Sequence, residues 1–169
     1  MKYLVVVDMQ NDFVYGALGS KDAQNIVENV RKYIEDFEGE VIFTRDTHEE
    51  NYLKTQEGKK LPVLHCIKNT KGWEIIQELA PLSFGKKIFD KPSFGSVELA
   101  EYLKSSNDVQ EVIFVGLCTD ICVISNAYLV KAYMPEVKIS VVESCCAGVT
   151  NESHKRALET MKVCQIEII

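Results

Sequence analysis

The sequence lacks the features that mark several protein classes. Its 19 Lys and Arg residues are scattered rather than clustered, and the net charge is −6, so it has no basic patch for nucleic acid. It also has no low-complexity tract, no internal repeat and no compositional boundary within its 169 residues. These absences predict one globular domain, residues 1–169, that does not bind nucleic acid.

Long apolar runs are missing as well. The opening run at 3–7 reaches Asp8 after a few residues, which is too short for a signal-peptide core or a membrane span. We therefore expect a cytosolic protein with no membrane partner. The six cysteines lack the paired CxxC pattern of a structural zinc site, and in a reducing compartment we expect free thiols.

The sequence does contain a regular alternation of strand-like and helix-like segments. Apolar runs typical of buried strands lie at 3–7, 40–44, 87–89, 111–115, 139–142 and 165–168. Helical patterns lie at 23–37, 74–79, 97–105, 122–133 and 152–161. This order predicts an α/β fold, a three-layer α/β/α sandwich around a six-stranded, mainly parallel, Rossmann-like sheet.

Chemically useful residues follow four of the predicted strands. Asp8 follows the first strand, Asp46 and His48 the second, Lys91 the third and Cys122 the fourth. In open α/β sheets, ligands bind at the carboxyl ends of the strands. We therefore expect these side chains to meet at one edge of the sheet.

The segment around Gly116 places Cys118 and Cys122 where a buried strand enters a helix. A free thiol has a pKa of about 8.5, and the positive end of a helix favours the thiolate. Cys122 is therefore a candidate nucleophile, and the backbone amides of Cys118 and Cys122 are candidate donors of an oxyanion hole. The alternative is that both cysteines are small core residues on one helix face.

Two further residues could support such a nucleophile. Asp8 follows three consecutive valines, and partial burial would raise its pKa and suit it to proton transfer as a general base. Lys91 could stabilise the charges of Asp8 and Cys122. The alternatives are a turn aspartate and a solvated lysine, and Lys87 competes with Lys91 for the catalytic role.

A long polar stretch at 46–70 breaks the pattern of short connections, and loops of this length are usually functional. It contains Asp46, His48, Glu57 and His65. Mixed nitrogen and oxygen ligands suit a divalent transition metal, with zinc as the first choice and manganese or iron as alternatives. Glu50 is an alternative to Glu57.

The motifs VVDMQNDF, TRDTH, KPSFGS and GLCTDICV resemble those of the isochorismatase-like cysteine hydrolases, especially the nicotinamidase branch. The resemblance covers nearly the whole chain and implies an isochorismatase-like fold. It also implies a catalytic triad of Asp8, Lys91 and Cys122, and a cis peptide bond between Leu117 and Cys118.

The resemblance implies hydrolysis of nicotinamide to nicotinate and ammonia through a thioester, hence a role in NAD salvage. It implies one divalent metal, no organic cofactor, a small amide substrate and a homo-oligomer. The metal ligands would be Asp46, His48, Glu57 and His65. Candidate pocket residues are Phe13, Leu117 and Pro62, the last standing where many nicotinamidases have an aromatic residue that stacks on the ring.

Two other functions stay open on the sequence alone. One keeps the cysteine and drops the metal, which gives an N-carbamoyl, ureido or other small-amide hydrolase. The other is a non-catalytic, redox-responsive thiol protein, in which Cys118 and Cys122, or the adjacent Cys145 and Cys146, form reversible disulfides.

Overall fold

A computed structural model describes all residues, 1–169. Six parallel strands form one sheet in the order β3-β2-β1-β4-β5-β6. The strands are β1 Lys2–Val7, β2 Glu40–Asp46, β3 Lys87–Lys91, β4 Glu111–Leu117, β5 Lys138–Ala147 and β6 Glu167–Ile168. All six predicted strands are confirmed, and the doubly wound α/β architecture with them.

Eight α-helices connect or flank these strands. They are α1 Asn11–Val14, α2 Lys21–Asn25, α3 Val27–Glu35, α4 Gln56–Lys60, α5 Ala80–Ser83, α6 Val97–Ser105, α7 Ile124–Tyr133 and α8 Asn151–Val163. The predicted helix at 23–37 is interrupted at Ile26 and begins earlier, because the Ser20 hydroxyl accepts a hydrogen bond from the Ala23 N–H and caps α2. None of these helices is both long and apolar enough to cross a bilayer.

The prediction of a helix at 74–79 is wrong. The backbone of this segment pairs instead with the chain that follows β1: Ile76 donates to the Met9 carbonyl, and Asn11 donates to the Glu74 carbonyl. Gln10 and Ile75 form an isolated antiparallel bridge there. Tertiary pairing has therefore replaced the local hydrogen bonds that the apolar spacing predicted, and only the short α5 follows.

Alternate residues along the strands enter two separate cores. Tyr3, Val5 and Val7 face α6, α7 and α8, whereas Leu4 and Val6 face α2 and α3. The sheet is therefore covered on both faces, as a parallel sheet requires. The adjacent Cys145 and Cys146 lie in different cores, so the structure holds their side chains on opposite faces.

Gly116 allows β4 to approach β1 closely at the end of the sheet. Its φ is +112°, and a Cβ atom there would overlap the carbonyl oxygen of Val7. We expect Gly116→Ala to lower the free energy of unfolding by roughly 3 kcal/mol or more, because strain and overlap add. Gly85 has φ +72° but open space around it, so Gly85→Ala should cost only about 1 kcal/mol. Urea denaturation measures the free energy of unfolding of both variants. Equal losses in Gly116→Ala and Gly85→Ala would contradict the overlap proposed at Gly116.

Candidate active site

Four neighbouring strands deliver polar side chains to one edge of the sheet. Asp8 directly follows β1, Asp46 ends β2, Lys91 ends β3, and the turn after β4 carries Cys122. The sheet order reverses between β1 and β4, which is the switch point where open α/β sheets bind ligands. The structure thus brings together the residues that the sequence predicted to converge.

Lys91 lies at the centre of a buried triad. Its Nζ is 2.6 Å from Asp8 Oδ2 and donates to Cys122 Sγ at 3.4 Å. Asp8 and Lys91 are both inaccessible to solvent at the side chain, and Cys122 is buried beside them. A carboxylate, an ammonium and a thiol therefore share one water-excluded volume.

The triad selects Lys91 over the competing lysine. Lys87 is the first residue of β3 and is exposed. Its Nζ lies 4.1 Å from the ring centroid of Tyr102. That position makes Lys87 a surface cation–π partner. Lys91 alone of the two reaches Asp8 and Cys122.

Thr44 holds the carboxylate of Asp8 in place. The Thr44 hydroxyl donates to Asp8 Oδ1 at 2.6 Å, and the Asp8 backbone N–H donates to the Thr44 carbonyl at 3.2 Å. Asp8 has φ +48°, in the left-handed region that aspartate tolerates better than most side chains. The bend turns the carboxylate toward the end of the sheet.

Burial and the neighbouring charges shift the pKa of each member of the triad. Burial raises the pKa of Cys122 well above that of a free thiol, and Lys91 opposes this shift only in part. Burial therefore acts against the thiolate that the helix end was expected to favour. Burial also raises the pKa of Asp8, with Lys91 opposing it. Burial would lower the pKa of Lys91, but Asp8, Cys122 and Asp46 together raise it.

Removing the lysine should uncover the cost of these buried charges. We expect Lys91→Met to lower the free energy of unfolding by about 3–5 kcal/mol, because Asp8 and Asp46 would be left without their cation. Adding Asp8→Asn should recover part of the loss. Urea denaturation in the presence of a chelator measures the effect, with the exposed Lys87→Met as a control that should cost no more than about 1 kcal/mol, the loss of one exposed cation–π contact. Equal losses at the two lysines would contradict this description of the triad.

The turn that carries the thiol has an unusual backbone. The Leu117–Cys118 peptide bond is cis, as the family resemblance implied. A π-helical turn, Thr119–Val123, follows, in which the Val123 N–H donates to the Cys118 carbonyl at 3.0 Å. Single π turns occur frequently at functional sites. This turn places the Cys122 side chain beside Lys91.

A second cluster lies next to the triad. Asp46, His48, Glu57 and His65 each offer a ligand atom, and these atoms lie within 4.8 Å of one another. His48 Nε2 and His65 Nε2 are 2.8 and 3.5 Å from Asp46 Oδ2. Glu50, the alternative to Glu57, is exposed and outside the cluster.

The atoms of this cluster suit a divalent cation. His48 Nε2 and Asp46 Oδ1 are buried and make no hydrogen bond, although the imidazole nitrogen closely approaches the other Asp46 oxygen. Burial would raise the pKa of Asp46, but His48, His65 and Lys91 together lower it. Nitrogen and carboxylate lone pairs directed at one point are the donor set that zinc prefers.

Two buried residues position this cluster, and the sequence did not single out either. The Gln10 amide donates to the Asp46 carbonyl at 2.8 Å and accepts from the Asp46 N–H at 2.7 Å. The ring centroid of Tyr52 lies 4.6 Å from that of His48 and 4.9 Å from that of His65. Gln10 stands in the first motif, which is the signal that could have identified it; Tyr52 has no comparable signal.

A cavity of about 470 Å³ opens onto both clusters. Phe13 and Leu117 line it as expected, but Pro62 does not: it is exposed, and the adjacent Leu61 lines the wall instead. The Tyr52 hydroxyl donates to the Leu61 carbonyl at 2.9 Å, which fixes the chain in this orientation. The prediction that Pro62 belongs to the pocket is therefore corrected.

The cavity is apolar except at the two clusters. Its wall contains no Lys or Arg, and its polar side chains are mainly the cysteines and the cluster residues. The lining residues are Phe13, Leu18, Gly19, Ser20, Ala23, Asp46, Glu57, Leu61, His65, Phe94, Leu117, Cys118, Ile121, Cys122, Gly148 and Val149. Such a wall favours a neutral, partly apolar ligand.

The chain is similar to known proteins in both sequence and fold. The isochorismatase domain family matches residues 2–169. The structure of the pyrazinamidase/nicotinamidase of Streptococcus mutans superposes on this chain with a TM-score of 0.88. The two sequences are 29% identical, and the match covers 100% of both chains. The pyrazinamidase of Pyrococcus horikoshii, solved in complex with zinc, has a TM-score of 0.84 at 30% identity over 99% of this chain and 98% of that one. A nicotinamidase of Saccharomyces cerevisiae is 26% identical, with 75% of this chain and 80% of that protein covered.

Proposed function

This chain belongs to the isochorismatase domain family, and from that premise we propose that it hydrolyses nicotinamide to nicotinate and ammonia. The chain is a hydrolase that acts on amide carbon–nitrogen bonds, as its nicotinamidase relatives indicate. The observation that carries the finer proposal is the position of the Asp8–Lys91–Cys122 triad beside a four-ligand cluster on one cavity. In this proposal the triad attacks the carboxamide, and the four-ligand cluster holds the pyridine ring through its nitrogen.

In the proposed reaction, the Cys122 thiol attacks the carboxamide carbon. Because burial raises the pKa of this thiol, it loses its proton as the attack proceeds rather than beforehand. Asp8 accepts the proton as general base and becomes neutral, while Lys91 stabilises the negative charge that develops on the Cys122 sulfur as its proton leaves. The carbonyl π electrons move onto oxygen, which gives a tetrahedral adduct.

The tetrahedral adduct then collapses to a thioester. We propose that the amides of Cys118 and Cys122 hold the oxyanion, while Asp8 returns its proton to the departing nitrogen as the carbon–nitrogen bond breaks and ammonia leaves. Asp8 next removes a proton from water, the water oxygen attacks the thioester carbon, and nicotinate is released as Cys122 regains its proton. No oxidant or reductant takes part.

The neighbouring cluster would orient the substrate. Asp46, His48, Glu57 and His65 are the residues that would hold a divalent cation, zinc being the proposed ion. When bound, the cation would supply a Lewis-acidic charge that anchors the ring nitrogen of nicotinamide. The ring centroid of Phe13 is 5.6 Å from that of His65, so Phe13 would contact the nicotinamide ring.

The absence of cations from the cavity wall opposes the N-carbamoyl alternative in one respect. Substrates of that type that carry a free carboxylate need a positive partner, and burying an unpaired carboxylate is costly. The wall has no Lys or Arg, and its ionisable groups are mainly acidic or imidazole. A neutral ring amide therefore suits the cavity better than an N-carbamoyl amino acid.

An ammonia-release screen tests this function. It compares nicotinamide, pyrazinamide, a neutral simple amide and an N-carbamoyl amino acid, each with and without added Zn²⁺, Mn²⁺ or Fe²⁺. We expect nicotinamide to give the highest kcat/KM, and the carboxylate-bearing compound to be poorer by at least about a hundredfold. Preference for the N-carbamoyl compound without metal would favour the alternative hydrolase.

Other features of the protein stay predictions. They are the single domain spanning residues 1–169, the cytosolic location, the role in NAD salvage and the homo-oligomer. The redox-responsive alternative gains no support from the adjacent cysteines, since Cys145 and Cys146 lie in different cores.

A further inference from the structure

The cavity wall beside Lys91 is held by few interactions. Residues 92–95 connect the end of β3 to Ser96, the cap of α6, and form no backbone–backbone hydrogen bonds. Two side chains hold them: Lys91 Nζ donates to the Ser93 carbonyl at 3.1 Å, and Asn126 Nδ2 donates to the Phe94 carbonyl at 3.0 Å. The Phe94 wall, residues 92–95, therefore depends on a triad lysine and one asparagine.

Asn126 also contacts the nucleophile turn. It lies one helical turn after Cys122, and its Nδ2 donates to the Cys122 carbonyl at 2.7 Å. Its Oδ1 accepts from the Ser96 N–H at 2.9 Å. The side chain is inaccessible to solvent, and the opposite amide orientation would direct its NH₂ at the Ser96 N–H. One amide thus joins the nucleophile turn to the Phe94 wall and to Ser96, which follows that wall.

We propose that Asn126 is a positioning residue that sets the separation between the Phe94 wall and the Cys122 turn, and so the fit of a planar amide in the cavity. Phe94 lines the cavity and is 41% exposed, so side-chain packing alone holds it weakly. Without the Asn126 donors, the wall would move relative to the sulfur. This inference rests on the proposed function for its substrate.

The principal test is Asn126→Asp, which keeps the shape and the acceptor for Ser96 but replaces both donors with an oxygen facing two carbonyls. We expect KM for nicotinamide to rise roughly tenfold or more, with kcat changed by less than about threefold, because the wall binds and the triad reacts. A crystal structure of this variant should show the backbone of residues 92–95 displaced relative to Cys122. Asn126→Thr, which keeps one donor, should give an intermediate KM and serves if Asn126→Asp fails to fold.

Two comparisons separate positioning from a general structural role. Asn29→Ala removes another asparagine-to-carbonyl bond, from Asn29 Nδ2 to Ser144 at 2.9 Å, and should leave KM and kcat unchanged. In the Phe94→Ala background, Asn126→Asp should raise KM little further, because both changes act on the same wall. Additive effects, or a lower melting temperature with unchanged KM, would overturn the proposal.

The proposed function can fail separately. If the wild-type chain releases no ammonia from nicotinamide, that function is wrong, and the crystal structures of the variants still decide the role of Asn126. Displacement of residues 92–95 relative to Cys122 in Asn126→Asp, but not in Asn29→Ala, supports the positioning role. An unchanged position of residues 92–95 overturns it.

Discussion

Cys122→Ala is expected to reduce ammonia release from nicotinamide to the uncatalysed background, a loss of at least about a thousandfold in kcat/KM. The reason is chemical: a methyl group cannot form the thioester, and Asp8 and Lys91 have no other acceptor for the acyl group. The fold should persist, because the substitution only shortens a small buried side chain beside Lys91. Circular dichroism and the melting temperature check the fold alongside the assay.

Two other cysteines give the matched comparisons. Cys164→Ala removes an exposed thiol remote from the proposed chemistry and should leave turnover unchanged. Cys118→Ala keeps the backbone amide proposed for the oxyanion hole, so it should retain activity within about tenfold. Iodoacetamide should inactivate the wild-type enzyme by alkylating Cys122, but more slowly than it alkylates a free thiol, because burial raises the pKa of Cys122. Near-normal turnover by Cys122→Ala would reject the thioester mechanism.

Removal of metal should have the next largest effect. We expect the purified protein to bind about one equivalent of a divalent cation, and chelation to lower nicotinamide hydrolysis by at least about a hundredfold. Adding back Zn²⁺, Mn²⁺ or Fe²⁺ identifies which ion restores activity. The loaded protein should also melt at a higher temperature, because an ion that binds only the folded state stabilises it.

The histidines allow this loss to be assigned to the four-ligand cluster. The double variant His48→Ala, His65→Ala should lose the bound metal, whereas His154→Ala, outside the cluster, should keep it. Metal content by atomic spectroscopy reports this without any activity measurement. A metal-free enzyme with full activity would instead support the metal-independent amidase.

The location of the site could be predicted from the sequence because it depends on strand ends. Asp8, Asp46 and Lys91 each close or follow an apolar run, and parallel strands bring such ends to one edge. The proposed metal-ligand set was likewise visible as a dense group of histidines and carboxylates in one long loop.

Other features depend on tertiary contacts that a linear pattern does not contain. The segment at 74–79 has apolar spacing for a helix, yet it pairs with the chain after β1. The pKa of Cys122 depends on how completely the folded site excludes water, because burial is the largest cause that raises it. Pro62 lies outside the pocket wall, whereas the adjacent Leu61 lines it and accepts a hydrogen bond from Tyr52, a tertiary contact that the linear pattern does not show.

Asp46 belongs to both groups of polar residues. Its Oδ1 is 3.5 Å from Lys91 Nζ, while its Oδ2 approaches both His48 and His65. A substitution scan of this chain would therefore not divide these positions into independent binding and reaction sets. A substitution at Asp46 intended to alter the proposed ion site would therefore also alter the electrostatic environment of Lys91, so the two sets of residues would have to be redesigned together.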